Sequence, residues 1–82
     1  MLEKEINVLS SLEARPASLF VQTASQFSSD IKVKIDDKIV NAKSIMGIIS
    51  LGIIEGQVIT IIANGEDEEK AVDAIEKFIK SL

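Results

Sequence analysis

Ser44 is the residue whose type and position best suit chemistry at a protein surface. It directly precedes the apolar run Ile45–Leu51, which has the composition of a short helix weakened by Gly47. A serine hydroxyl at this point accepts a hydrogen bond from a free backbone N–H of the first helical turn. Capping therefore explains Ser44 without any further role, and the residue pattern alone assigns it none.

Glu13 and Arg15 form a second group of polar residues, near the start of another predicted helix. A glutamate is favoured there by the positive end of the helix dipole. Arg15 is predicted either to be solvated or to pair with Glu13, and a surface pair of this kind contributes about 0–1 kcal/mol. The helix-start interpretation again needs no special chemistry.

The sequence contains no histidine and no cysteine. These absences remove the commonest metal ligand, the usual general base near neutral pH and any thiol nucleophile. Asp36 and Asp37, and the acidic residues 66–69, lack the pattern of a calcium loop. We interpret them as a solvated turn and an acidic first helical turn, and we expect neither a cofactor nor an enzyme active site.

The composition predicts one small domain spanning residues 1–82. Hydrophobic residues make up 46% of the 82 residues and aromatic residues only 4%, so aliphatic side chains must form most of the core. The net charge of −4 argues against direct binding to nucleic acid, which depends on cations that displace counterions from phosphate. The longest apolar stretch is about half of the roughly 20 residues that a membrane-spanning helix needs. Since the N-terminal residues also lack a signal-peptide core, we expect a cytoplasmic protein without a membrane partner.

Hydrophobic periodicity predicts the element order βαββαβα. Alternation marks strands near residues 2–8 and 31–35, a return strand at 38–42, and a strand at 57–63 that is apolar on both faces. Helical stripes are formed by Ala17, Phe20, Val21, Ala24 and Phe27, and by Val72, Ile75, Phe78, Ile79 and Leu82. Ser28, Ser29 and Asp30 are predicted to end the first helix.

This order predicts a two-layer α+β domain, with a four-stranded antiparallel sheet and three helices on one face. The strand at 57–63 should be central and the short strand at 38–42 should lie at a sheet edge. A ferredoxin-like split βαβ fold is the nearest competing arrangement.

Two segments resemble the signature regions of HPr, the small phosphocarrier of the bacterial sugar phosphotransferase system. They are S-L-E-A-R-P-A at residues 11–17 and V-N-A-K-S-I-M-G-I-I-S-L at residues 40–51. The resemblance extends over essentially the whole chain, including G-E-D-E-E at residues 65–69. It implies an open-faced β-sandwich, which agrees with the element order read from the periodicity.

The chain departs from the HPr pattern where HPr carries its phosphorylated histidine. Glu13 occupies that position, and Ser11 replaces a family glycine. An anionic carboxylate would repel an incoming phosphoryl group and lacks a neutral nucleophilic nitrogen. The chain is similar in this respect to the Crh-type HPr-like proteins of Gram-positive bacteria, which usually carry glutamine there. Because Ser11 and Glu13 both differ, natural divergence is favoured over an engineered His→Glu substitution.

The resemblance implies a regulatory phosphoprotein of carbon catabolite repression. Ser44 would be phosphorylated by a bifunctional HPr kinase/phosphorylase, and the phosphoprotein would bind a catabolite control protein of the lactose-repressor type. The expected contact residues are Arg15, Ile45, Met46 and Ile49. The competing interpretation of the apolar run places Ile45, Ile48 and Leu51 in the core.

Two other functions remain open at this point. In one, the protein is a phosphocarrier that relays phosphate from enzyme I to sugar permeases through Glu13. In the other, it is an unphosphorylated scaffold that binds enzyme I or sugar permease domains. A fixed negative charge at Glu13 could also imitate a phosphorylated histidine, although one carboxylate offers less charge than a phosphoryl group.

Overall fold

The computed structural model describes residues 1–82 and contains the predicted elements in the predicted order. The strands are β1 (Leu2–Asn7), β2 (Asp30–Ile35), β3 (Lys38–Asn41) and β4 (Val58–Asn64), and the helices are α1 (Ala14–Ser25), α2 (Ile45–Leu51) and α3 (Glu68–Lys80). None of the helices combines the length and apolarity needed to cross a bilayer.

The strands form a single antiparallel sheet in the order β1-β4-β2-β3. β4 lies between β1 and β2, as its run of apolar residues predicts for a central strand. β3 lies at an edge, also as predicted. A tight turn joins β2 to β3, and Asp36 adopts the left-handed conformation there with φ of 54°. Aspartate tolerates this conformation better than most residues.

The core lies between the sheet and the helices. Alternate residues of the paired strands face the helical layer, for example Ile6 opposite Ile59 and Val33 opposite Ile61. α1 and α3 cover this face with buried side chains. The rings of Phe20 in α1 and Phe78 in α3 pack edge to face, with 6.1 Å between their centroids. Buried apolar area is the main favourable term in folding, so this shared face holds the two layers together.

The opposite face of the sheet, which we call the open face, carries no helix. Glu3 and Glu5 of β1 and Lys34 of β2 are exposed on it. An antiparallel sheet tolerates one solvated face provided that its outward residues are largely polar. The predicted two-layer arrangement is therefore confirmed.

The end of α1 differs from the prediction. The helix ends at Ser25, before Ser28 and Ser29, and Asp30 already belongs to β2. The backbone N–H groups of Ser28 and Ser29 donate to the Asp67 carboxylate, at 2.9 and 3.0 Å, instead of continuing the helix. A contact with a distant residue thus holds Ser28 and Ser29 between α1 and β2.

Candidate functional site

Ser44 is the N-cap residue of α2, as predicted. Its Oγ accepts a hydrogen bond from the Gly47 N–H at 3.2 Å, and its side chain is half-buried. Asn41 fixes the preceding turn, because its carbonyl accepts from the Ser44 N–H and its Oδ1 accepts from the Lys43 N–H. The hydroxyl is thereby held at the protein surface, at the start of the helix.

Gly47 has a packing reason that sequence analysis missed. A Cβ at this position would lie 3.3 Å from both Ser44 Oγ and Val40 Cβ. These distances are tighter than ordinary van der Waals contact, so a side chain at residue 47 would crowd the Ser44 hydroxyl. Glycine lowers the stability of a helix, but it allows the close approach of backbone and neighbouring side chains that this position requires.

Lys43 is a second residue whose role the sequence did not indicate. Its Nζ donates to the Phe27 carbonyl at 2.7 Å, just beyond the end of α1. A lysine near a helix C-terminus interacts favourably with the last carbonyl groups. The contact ties the residue before Ser44 to the end of α1.

The apolar residues of α2 divide between the core and the surface. Ile48 and Leu51 are buried, whereas Ile45, Met46 and Ile49 are 38%, 73% and 46% exposed. The interpretation that placed Ile45 in the core with Ile48 and Leu51 is wrong for Ile45. We call Ile45, Met46 and Ile49 the α2 patch.

Glu13 and Arg15 are both exposed at the start of α1. Glu13 occupies the N-cap position, but its side chain makes no capping hydrogen bond. The suggested Glu13–Arg15 pair is absent, since neither residue takes part in any ion pair of the structure. Both charges therefore face solvent.

The hydrogen bonds at the two ends of α2 orient it against α1. The Leu12 N–H donates to the Ile53 carbonyl at 3.0 Å, so the C-terminal end of α2 lies beside the start of α1. The Lys43–Phe27 bond places the N-terminal end of α2 beside the end of α1. The seven helical residues of α2 span about 10 Å, so this helix lies between the Ser44 end of the site and the Glu13 end. The α2 patch lies on the helix that connects these two ends.

Ser11, the second departure from the HPr pattern, strengthens the same junction. Its Oγ accepts a hydrogen bond from the Glu55 N–H at 3.1 Å. A glycine at this position could not make that bond. The serine therefore ties the segment before α1 to the loop that follows α2.

Residues 3–81 match the family description "PTS HPr component phosphorylation site". This chain belongs to the HPr family. An HPr-like protein Crh of Halalkalibacterium halodurans is 50% identical over 82 residues, which cover 98% of each chain. Proteins of this family are phosphocarriers or regulators rather than enzymes, and the identification of the chain as HPr-like and Crh-type is confirmed.

Two solved structures agree with the HPr fold. The phosphocarrier protein HPr of Bacillus anthracis superposes with a TM-score of 0.92 at 48% identity and covers 95% of both chains. Crh of Bacillus subtilis, described as a domain-swapped dimer, gives a TM-score of 0.81 at 43% identity over 99% of this chain and 93% of its own. The open-faced β-sandwich is confirmed, and the split βαβ alternative is wrong.

Proposed function

We propose that this HPr-family protein is a regulatory phosphoprotein of carbon catabolite repression, switched by phosphorylation of Ser44 by an HPr kinase/phosphorylase. The observation that carries the proposal is the placement of a half-buried serine hydroxyl at the protein surface, directly beside the exposed α2 patch. The names of the Crh relatives, one of which refers to catabolite repression, support the same biological role.

A phosphate on Ser44 would act by changing a surface rather than the fold. It adds about −1.5 to −2 charges next to the positive end of the α2 dipole, where an anion is favourable. The adjacent α2 patch supplies apolar contact area, and methionine adapts well to a partner surface. Phosphorylated and unphosphorylated forms would thus differ in one anion beside an unchanged hydrophobic patch.

The partner in this proposal is a catabolite control protein of the lactose-repressor type. Ile45, Met46 and Ile49 would supply the apolar contacts, and Arg15 would extend the contact surface past the C-terminal end of α2 to the start of α1. The chain itself would not touch DNA, in keeping with its net charge of −4. The anion at Ser44 would make the partner distinguish the two forms.

Intact-mass analysis after incubation with the kinase and ATP tests the modification. The unchanged protein should gain one phosphate, while Ser44→Ala and Ser44→Asn should gain none. Ser44→Ala removes the helix cap and costs about 1 kcal/mol of stability, whereas asparagine is a good N-cap residue. If neither variant gains a phosphate, the loss of phosphorylation cannot result only from a weakened helix.

Ser50→Ala is the matched control for this assay, because Ser50 is an exposed serine in the same helix. It should gain one phosphate like the unchanged protein. Equal phosphorylation of Ser44→Asn and the unchanged protein would place the modified residue elsewhere and overturn the proposal.

Binding of the phosphorylated protein to the control protein tests the α2 patch. Met46→Ala should weaken binding about tenfold, because Met46 is the most exposed residue of the α2 patch and truncating one of the few side chains that anchor an interface costs more than about 1 kcal/mol. Leu9→Ala should leave binding unchanged, since Leu9 is similarly exposed but lies just beyond the end of β1, outside the α2 patch. Equal binding by the two variants would contradict the proposed contact surface.

The rival function is phosphotransfer through Glu13, whose exposed carboxylate is accessible to an enzyme. Incubation with phosphoenolpyruvate and enzyme I should leave Glu13 unmodified, because a carboxylate is a poor acceptor without a cation placed for that task. A hydroxylamine-sensitive phosphate that disappears in Glu13→Gln would reverse this ranking. Failure of the kinase to modify Ser44, together with retained binding to enzyme I or a sugar permease domain, would instead favour the scaffold function.

A further inference from the structure

The charges on the open face of the sheet are sorted by strand. The charged outward residues of β1 are both glutamates, Glu3 and Glu5. On the other side of β4, the residues of β2 in the same two rows are lysines, Lys32 and Lys34. The two rows across the sheet are Glu3–Ile62–Lys32 and Glu5–Thr60–Lys34. Asp30, at the start of β2, is the one carboxylate among the outward residues of that strand. Apart from it, an acidic strand and a basic strand flank a central β4 whose outward side chains carry no charge.

These charges have few partners within the molecule. Glu3, Glu5 and Lys34 take part in none of the ion pairs of the structure. Lys32 contacts only Asp30, at 3.2 Å, and a solvent-exposed pair of that kind contributes little. The sorted charges are therefore available to a partner.

We propose that the open face is a self-complementary surface through which two copies of this chain associate face to face. The two-fold axis would run parallel to the strands, along β4. β1 of each copy would then lie over β2 of the other, so that Glu3 opposes Lys32 and Glu5 opposes Lys34. Because a two-fold contact repeats every pair, each of these attractions occurs twice.

The same symmetry places β4 over its own counterpart. Val58 is 49% exposed and lies on the open face, and the methyl groups of Thr60 and Ile62 share that face. These uncharged side chains would meet at the centre of the contact, flanked on both sides by the opposed charges. An apolar centre with a charged rim is the usual anatomy of a protein interface.

The charge pattern disfavours two other symmetric arrangements. A two-fold axis across the strands would stack β1 on β1 and β2 on β2, which opposes like charges. Two β1 edges could instead pair antiparallel, so that the two sheets join into one continuous sheet. Glu3 would then lie opposite Glu5 of the other copy, or one of these glutamates would lie opposite the same residue of the other copy. Like charges directly opposite one another are destabilising, so the axis along β4 is the one that the charges favour.

The association should be weak and rapidly reversible, because three strands of one small sheet offer less than the roughly 800 Å² per partner of a standard stable interface. Both helical layers would face outward, leaving Ser44 and the α2 patch accessible in each copy. The inference is therefore independent of the function proposed for Ser44.

Sedimentation equilibrium and concentration-dependent amide NMR shifts test the proposal. Shifts should change on β1, β4 and β2 and stay constant on the helices. Glu5→Lys and Lys34→Glu should each weaken association about tenfold, because each reverses an exposed pair that occurs twice. The combined variant exchanges the two charges and should restore association. The salt dependence of association is a poor test of the proposal. Salt screens the attraction between the opposed charges, but it also screens the repulsion between two copies of net charge −4.

Glu69→Lys is the matched control, because Glu69 is an exposed, unpaired glutamate on α3. It should leave the concentration-dependent NMR shifts of the sheet unchanged. Combined with Lys34→Glu, it should not restore the association that Lys34→Glu weakens. Glu3→Lys with Lys32→Glu repeats the test in the neighbouring row should a Glu5 variant fold poorly by circular dichroism.

Three outcomes would overturn the proposal. The first is an absence of concentration dependence up to millimolar protein. The second is failure of the combined variant to associate better than either single variant. The third is a slowly exchanging dimer that is insensitive to both charge reversals, as expected of strand exchange.

Discussion

Asp67 connects two segments of the chain that lie nearly forty positions apart. It occupies the N-cap position of α3, yet its carboxylate makes no cap within that helix. It accepts instead from the backbone N–H groups of Ser28 and Ser29 and from the Ser29 hydroxyl, which is buried. The hydroxyl of Ser29, followed by the backbone donors, holds the pKa of Asp67 at about 2, below its ordinary value of 3.8.

This depressed pKa makes stability depend on pH at the acidic end. Because the folded state favours the charged carboxylate, its contribution is present above 3.8 and is lost as the pH falls towards about 2. We expect the urea midpoint of the protein to fall across this range. Asp67→Asn should lower the midpoint at neutral pH and flatten the decline.

Asp37→Asn provides the control, since Asp37 is an exposed carboxylate of the β2–β3 turn and accepts no hydrogen bond in the structure. It should leave the acid profile close to that of the unchanged protein. An equally steep decline in Asp67→Asn would show that other carboxylates dominate the acid response.

Gly65 permits the approach on which the Asp67 contact depends. Its φ is 156°, and a Cβ would lie 2.8 Å from Ser29 Cα, closer than real Cβ contacts come. Gly65→Ala should therefore destabilise the protein by about 2 kcal/mol or more, because backbone atoms cannot move aside as a flexible side chain can. Urea denaturation measures the change.

Gly52 separates this packing effect from backbone strain. It ends α2 in the left-handed conformation with φ of 62°, but nothing lies within 4 Å of the position that a Cβ would take there. Gly52→Ala should cost only about 1 kcal/mol, the usual penalty for alanine in that conformation. Equal losses for the two variants would argue against the Gly65–Ser29 contact.

At the scale of elements, α2 serves both the core and the surface. Ile48 is 1% exposed and Met46 is 73% exposed, although they stand two positions apart. Ile48→Ala should cost about 2–4 kcal/mol, because it leaves a cavity under the helix. Met46→Ala should change stability by less than about 0.5 kcal/mol.

Chemical denaturation of the two variants checks this division. A large loss for Met46→Ala would mean that Met46 packs into the fold, which would remove the main apolar contact of the proposed α2 patch. The comparison therefore examines the proposed docking surface without any partner protein.

At the scale of the whole molecule, the strand order determines where the sheet is most protected. β4 is hydrogen-bonded to β1 on one side and to β2 on the other, whereas β3 has one neighbour only. Hydrogen exchange should be slowest for the amides of β4 and faster for those of β3, because edge amides become exposed through smaller openings. Faster exchange in β4 than in β3 would contradict the strand order.

The strand order also gives the molecule two different surfaces. The helical side carries Ser44 and the α2 patch, while the open face carries the sorted charges of β1 and β2. The core between them is formed by aliphatic side chains and one pair of phenylalanines. A change at one surface can therefore leave the other intact.

The sequence by itself determined the elements, the buried face of most of them and the capping position of Ser44. Strict alternation at residues 31–35 and the stripes of α1 and α3 are local patterns, and a local pattern needs no tertiary information. The N-cap role of Ser44 was predictable for the same reason, since its hydrogen bond spans three residues.

Only the tertiary structure decided which apolar residues of α2 stay exposed, what Ser28 and Ser29 contact and which charges meet. Ile45 is as apolar as Ile48, yet it is 38% exposed while Ile48 is 1% exposed. Lys4 shares the inward parity of Leu2 and Ile6, and its amine reaches Glu76 of α3 at 2.7 Å. The Asp67 contacts with Ser28 and Ser29 join residues nearly forty positions apart. Such contacts depend on the order in which strands and helices pack, and no short-range spacing in the sequence encodes that order.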